Sequence, residues 1–148
     1  MPTPDDMLWV VTDGCVSSPG VGATLYASQQ SDHLRAAGFF SAKLKKRQVD
    51  WSPCEIEALA IAGALDHYGP VLTQSKHLAS VLTDSKPCVQ AFDKLCRGEF
   101  SASPRLVTLL SVNSFMFKKL GKYRDAPAEL YKELEEFCCL LYNSLRTK

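Results

Sequence analysis

Three short apolar runs parted by turn residues, one helix marked at both ends, and then a fourth apolar run leave few folds open to this chain. Leu8-Trp9-Val10-Val11-Thr12 is rich in β-branched and aromatic residues and stops at Asp13-Gly14, as a buried strand does. Ser17-Ser18-Pro19-Gly20 reads as a turn, Val21 to Ala27 as a second strand, and Leu34 to Leu44 as a third. Short turns between them predict an antiparallel meander. In Ser52-Pro53-Cys54-Glu55, Ser52 is the N-cap, Pro53 lies in the first turn and Glu55 is the capping-box partner. Leu59, Ala60, Ala62, Gly63, Leu65 and His67 or Tyr68 carry the helix on until Gly69-Pro70 stops it, and its small residues let it lie close to a sheet. Leu78 to Thr83 is a further strand, reached through a helix and therefore expected to be parallel to its neighbour. Asp84-Ser85-Lys86-Pro87 opens a helix through about Leu95, and Ser103-Pro104 opens another bearing Leu106, Val107, Leu109 and Leu110. The order is β-β-β-α-β-α and then helices, an α/β class with a mixed sheet.

Past Asn113 the texture changes. Phe115-Met116-Phe117-Lys118-Lys119 is basic and aromatic, and residues 127–146 form a predicted amphipathic helix with Leu130, Leu134, Phe137, Leu141 and Leu145 on its apolar stripe. Residues 1–7 are expected to be a disordered leader, 8–112 one domain and 113–148 a helical tail. No apolar run approaches the roughly 20 residues that span a bilayer. The polar, acidic start is unlike a signal peptide, so an intracellular, reducing setting in cytoplasm or nucleus is expected, without secretion or membrane contact. Cys15, Cys54, Cys88, Cys96, Cys138 and Cys139 form no C-x-x-C pair, which favours small reduced core residues over zinc or redox chemistry. The net charge of +1 creates no long-range field, so polyanion binding would depend on local patches.

Three acids occupy telling places. Asp13 ends the first strand, Glu57 lies one turn inside the first long helix, and Asp84 ends the parallel strand. Carboxylates at strand ends of an open α/β sheet stand where ligands bind. If the first and fourth strands are neighbours, Asp13 and Asp84 lie side by side and a helix across them can bring in Glu57. Such a trio repels itself and suits hard cations such as Mg²⁺ or Mn²⁺, which support phosphodiester hydrolysis. Each acid also has an ordinary explanation: Asp13-Gly14 as a turn pair, Glu57 as a first-turn helix acid, Asp84-Ser85 as an N-cap pair. The case rests on their joint placement.

Val10-Val11-Thr12-Asp13-Gly14 with Gly20-x-Gly22-Ala23-Thr24-Leu25 resembles the opening hairpin of ribonuclease H domains. Glu55-Ile56-Glu57-Ala58-Leu59-Ala60-Ile61 resembles the helix that carries their second carboxylate, and Val81-Leu82-Thr83-Asp84-Ser85-Lys86-Pro87 the strand of the third. Trp51-Ser52-Pro53-Cys54-Glu55 and Cys96-Arg97-Gly98-Glu99-Phe100-Ser101-Ala102-Ser103 are similar to reverse transcriptase–ribonuclease H polyproteins of animal LTR-type retrotransposons. The resemblance covers about residues 8–112. It implies a ribonuclease H-like mixed sheet with an added C-terminal helix, and two Mg²⁺ or Mn²⁺ ions on Asp13, Glu57 and Asp84. It also implies hydrolysis of the RNA strand of an RNA–DNA hybrid and a parent polyprotein with a reverse transcriptase segment. Glu57, followed by Ala-Leu-Ala-Ile, matches the family's catalytic glutamate, while Glu55 fits the capping role. Lys43, Lys45, Lys46 and Arg47 are candidate phosphate contacts or a solvated basic turn, and Lys86 beside Asp84 is a further candidate contact. His33, His67 and His77 have no motif support.

Beyond Asn113 the resemblance stops. No family-like strand, histidine loop or fourth carboxylate is legible there, and the acids Asp125, Glu129, Glu133, Glu135 and Glu136 read as a charged helix. A weakened nuclease is therefore expected, with a non-catalytic remnant that binds nucleic acid or protein as the rival, and a tail helix able to cover the sheet or self-associate.

Overall fold

The computed structural model describes residues 2–15, 19–29, 34–100, 103–127 and 130. Three strands come first: β1 (Met7–Cys15), β2 (Gly20–Ser28) and β3 (Arg35–Lys43). Helices α1 (Pro53–His67) and α2 (Gly69–Gln74) lead to β4 (Ala79–Thr83), and α3 (Lys86–Cys96) and α4 (Pro104–Ser111) to β5 (Phe117–Lys122). One five-stranded sheet runs β3-β2-β1-β4-β5. β1 and β2, and β2 and β3, are antiparallel, while β4 is parallel to β1 and β5 parallel to β4. This is the expected mixed α/β sheet, since a strand reached through a helix must return in the same direction.

The sheet carries a core on each face. On one face Val10, Leu25 and Val81 meet Ala58, Ile61, Ala64 and Leu65 of α1, with Cys88 and Ala91 of α3 and Leu106 and Leu110 of α4. Ala58, Ala60 and Ala64 of α1 are fully buried, which lets its axis approach the sheet closely. On the other face Val11, Tyr26 and Leu82 enclose Leu130, flanked by Trp9, Tyr123 and Ala126. Leu130 is helical and 0% exposed. The remainder of the predicted tail helix, with Leu134, Phe137, Leu141 and Leu145, lies outside the described residues, as do His33 and the turn at Ser17 and Ser18.

Three expectations need correction. Residues 2–6 are no disordered leader: Asp6 is fully buried, accepts the Thr3 N–H and pairs with Arg35 of β3, while Lys76 N–H donates to the Pro4 carbonyl. Gly69-Pro70 ends α1 but also opens α2, because a proline in a first helical turn gives up no hydrogen bond. Residues 117–122 form β5 rather than part of a helical tail. Its lysines and a register shift opposite Ala79 and Ser80 hide the alternation that would mark a strand, as edge strands allow. Among the described cysteines Cys54, Cys88 and Cys96 are free; Cys88 is buried but Cys96 is exposed. No helix of the described residues is long and apolar enough to cross a membrane.

Leu130→Ala should lower stability by about 2–4 kcal/mol, the usual cost of a buried Leu truncation. Urea unfolding followed by circular dichroism would read it, and an unchanged midpoint would mean that Leu130 does not seal the second face.

Candidate active site

The site begins with the pairing of β1 and β4. Val10 faces Val81 and Val11 faces Leu82. Side chains alternate along a strand, so two residues past Val11 and Leu82 the chain presents Asp13 and Asp84 at one level on adjacent strand ends. The Thr12 hydroxyl donates to the Leu82 carbonyl at 3.2 Å, tying the two ends together. Asp84 is exposed, Asp13 half-buried, and Ser85 caps α3 by accepting the Cys88 N–H at 3.3 Å.

Helix α1 supplies the third acid. The Gly14 N–H donates to Glu57 Oε1 at 3.1 Å. A side chain at position 14 is excluded, because a Cβ there would lie 2.9 Å from Ile56 Cγ2 and 3.3 Å from Glu57 Oε1. Gly14 is thus a site residue that its reading as a turn partner of Asp13 had missed; a glycine directly after a strand-end acid was the available signal. Glu55 does what the capping box requires: its Oε1 accepts the Ser52 N–H at 3.0 Å and the Glu55 N–H donates to Ser52 Oγ at 3.4 Å. Its other oxygen accepts from Ser103 Oγ at 3.2 Å, so Glu55 binds the start of α1 to the start of α4 and is turned away from the strand ends. The Ser52 N–H holds the Glu55 carboxyl below its usual range.

Glu57 behaves oppositely. Burial, then the charge of Asp13, push its carboxyl up to about 8; the Gly14 N–H opposes this, and Asp13 as hydrogen-bond partner and the Asp84 charge add to it. Its Oε2 is buried and has no hydrogen-bond partner among the described residues. The three acids therefore act on one another, as their sequence positions suggested. As placed, they are not closed into a ligand set: among the described residues no group of three His, Cys, Asp or Glu side chains is gathered tightly enough to hold a metal. Their chemistry nevertheless fits a hard divalent cation, for Glu57 Oε2 has no hydrogen-bond partner among the described residues and the charges of Asp13 and Asp84 both bear on Glu57.

Lys45, Lys46 and Arg47 are exposed just ahead of α1, where Lys46–Gln48 make a short 3-10 turn. Lys86 is exposed in the first turn of α3. His67 stacks on Phe40 with ring centroids 4.7 Å apart, a packing role, and His77 is exposed in a turn. Reading the sequence also missed Tyr123, whose hydroxyl donates to the Thr12 carbonyl from the turn after β5. Asp125 accepts the Lys122 N–H at 3.0 Å in that same turn instead of lying on a helix; Glu129, Glu133, Glu135 and Glu136 are outside the described residues.

Residues 3–110 match the family described as the RNase H-like domain found in reverse transcriptase. The chain belongs to that family. A search of curated proteins finds no match. Among solved structures, the N-terminal RNase H domain of Rv2228c from Mycobacterium tuberculosis, studied as a maltose-binding protein fusion, superposes with a TM-score of 0.59 at 15% identity, covering 96% of this chain and 97% of that one. LC11-RNase H1 in complex with an RNA/DNA hybrid gives 0.56 at 14% identity, over 88% and 92%. A foamy viral protease-reverse transcriptase in complex with an RNA/DNA hybrid also gives 0.56 at 14%, covering 87% of this chain but 17% of the viral one. At such identities the likeness establishes the RNase H-like fold.

The raised Glu57 pKa sets a pH dependence. In EDTA the unfolded chain ionises this group near 4.5 while the folded chain keeps the proton to about 8. The folded state then binds more protons, so stability falls as pH rises through that window and levels off above it. Glu57→Gln should flatten this decline and leave the variant more stable than wild type at pH 8.5. Parallel urea-midpoint profiles between pH 5 and 8.5 would refute the assignment.

Proposed function

We propose that this chain hydrolyses the RNA strand of RNA–DNA hybrids with the help of divalent cations, as the ribonuclease H part of an LTR-type retroelement polyprotein. The observation that carries this reading is the half-buried Glu57, held by Gly14 and pressed by Asp13 and Asp84 on a family-matched scaffold. Asp13, Glu57 and Asp84 would hold Mg²⁺ or Mn²⁺, with two ions expected, and such ions polarise a phosphoryl oxygen and lower the pKa of water. The family membership and the hybrid-bound solved relatives support the substrate. The small share of the foamy viral chain that is matched supports a place beside a reverse transcriptase segment.

The chain's own groups have distinct tasks. Without a cation, desolvation and its acidic neighbours keep the Glu57 carboxyl protonated near neutral pH; that proton would leave on cation binding, and the Gly14 N–H on Oε1 leaves Oε2 free to meet the cation. Asp13 and Asp84 fix the spacing of negative charge through β1–β4 pairing, which Thr12 reinforces. Lys45, Lys46, Arg47 and Lys86 would meet phosphates, and discrimination of RNA would come from the 2′-hydroxyl rather than from base edges. Since no acid past Asn113 is legible in the sequence as the family's fourth carboxylate, turnover is expected to be slow.

The test is cleavage of a labelled RNA–DNA hybrid by the purified chain in Mg²⁺ or Mn²⁺, with a DNA duplex as control. Wild type should cut only the RNA strand. Asp13→Asn, Glu57→Gln and Asp84→Asn should each slow it roughly 100-fold or more, the scale of losing a charge-stabilising group, with thermal melts still cooperative. A folded wild-type chain that leaves the hybrid intact would overturn the catalytic reading.

A further inference from the structure

The cations around the strand ends fall into two groups on opposite sides of the carboxylates. Lys43 closes β3 opposite Gly20, and Lys45, Lys46 and Arg47 follow it on the β3 side. On the β5 side Lys122 pairs with Thr83, one residue before Asp84, and Arg124 lies in the short turn Tyr123–Asp125 that follows. Lys86 opens α3, two residues beyond Asp84. None of Lys45, Lys46, Arg47, Lys86, Lys122 and Arg124 has an ion-pair partner among the described residues, whereas Arg35, Lys76, Arg97 and Arg105 do. The turn that carries Arg124 is pinned to β1 through the Tyr123 hydroxyl on the Thr12 carbonyl. Asp125, the acid of that turn, is folded back on the Lys122 N–H, with its Oδ2 3.1 Å from where a Gly121 Cβ would be.

In the order β3-β2-β1-β4-β5 the two cation groups stand four strand spacings apart, with Asp13, Glu57 and Asp84 between them. At about 4.8 Å per spacing that is about 19 Å, the length of about five to six nucleotides at about 3.4 Å rise. We infer that Lys122 and Arg124, with Lys86, form a second phosphate-contact rim, so that a nucleic-acid strand lies across the sheet end from β3 to β5. This rests on the nuclease reading and adds an orientation and two contact residues to it. The opposite end of the same layer provides the contrast. Helix α3 runs back from the site, and Phe92 meets Phe117 at the start of β5 with centroids 5.1 Å apart. Exposed Lys94 and Lys118 therefore belong to the end away from the carboxylates.

The test is binding of a fluorescein-labelled RNA–DNA hybrid to the full chain in EDTA, read by anisotropy between 50 and 200 mM KCl (about the range over which phosphate contacts are resolved). Lys122→Gln/Arg124→Gln should reduce the slope of log affinity against log salt by about two units, one per lost phosphate contact. Lys94→Gln/Lys118→Gln should leave it unchanged, and near-ultraviolet circular dichroism should be the same for all three proteins. An unchanged slope for the rim variant, while Lys45→Gln/Lys46→Gln/Arg47→Gln lowers it, would overturn the rim and leave the nuclease reading standing. Equal losses in the rim and far-end variants would overturn it as unplaced polyanion attraction. A wild-type chain that binds no hybrid would overturn both.

Discussion

One hydrogen bond organises this molecule, from the Gly14 N–H to Glu57 Oε1. It needs a glycine at the end of β1, since a Cβ there would meet Ile56 Cγ2 at 2.9 Å. That close approach lets α1 lie against β1 and β2 through fully buried alanines and brings its acid to the strand ends. β4 then takes its place beside β1 in parallel, and its own acid arrives at the level of Asp13. Had α1 packed one helical turn away, Glu57 would move about 5.4 Å along the axis and lose both the amide and its acidic neighbours.

The same arrangement works against folding. Glu57 is half-buried beside two acids, and one of its oxygens is buried with no hydrogen-bond partner among the described residues. A group held neutral well above its ordinary range disfavours the folded state as pH rises. The surrounding apolar packing outweighs this: Val10, Val11, Val81, Ile61 and Leu65 are all essentially inaccessible. Local conflict inside a consistent scaffold is what functional sites generally display. Glu55, two residues away, shows the contrast, because Ser52 and Ser103 satisfy its carboxylate and it serves only to anchor helix starts.

Much of this was legible in the chain itself. The capping box at Ser52 and Glu55, the small residues of α1 and the strand-end acids are local signals, and each is read within a few residues. What escaped was non-local. Asp6 is buried because Arg35, 29 residues on, comes to meet it, and nothing in Thr-Pro-Asp-Asp announces that partner. β5 escaped because its lysines and bulge suit a sheet edge, where one side of the ladder is open and period-2 alternation is relaxed. Tyr123 escaped with it, since its partner Thr12 lies 111 residues earlier in the chain. Gly14 was read as half of a turn pair, although its packing against Ile56 decides how close α1 can come.

The late segment therefore does more than follow the domain. β5 extends the parallel part of the sheet beyond β4, so that Asp84 is flanked by a strand on each side instead of ending an edge. Tyr123 then returns to β1 across the end of β4, and Leu130 fills the second face between Val11, Tyr26 and Leu82. Both faces of β1 and β4 are thus covered, as parallel strands require because they are apolar on both sides. A site built on the ends of such strands inherits their rigidity. The carboxylate spacing is set by backbone pairing and core packing, and the Gly14–Glu57 hydrogen bond holds the third acid in place against the repulsion of the trio.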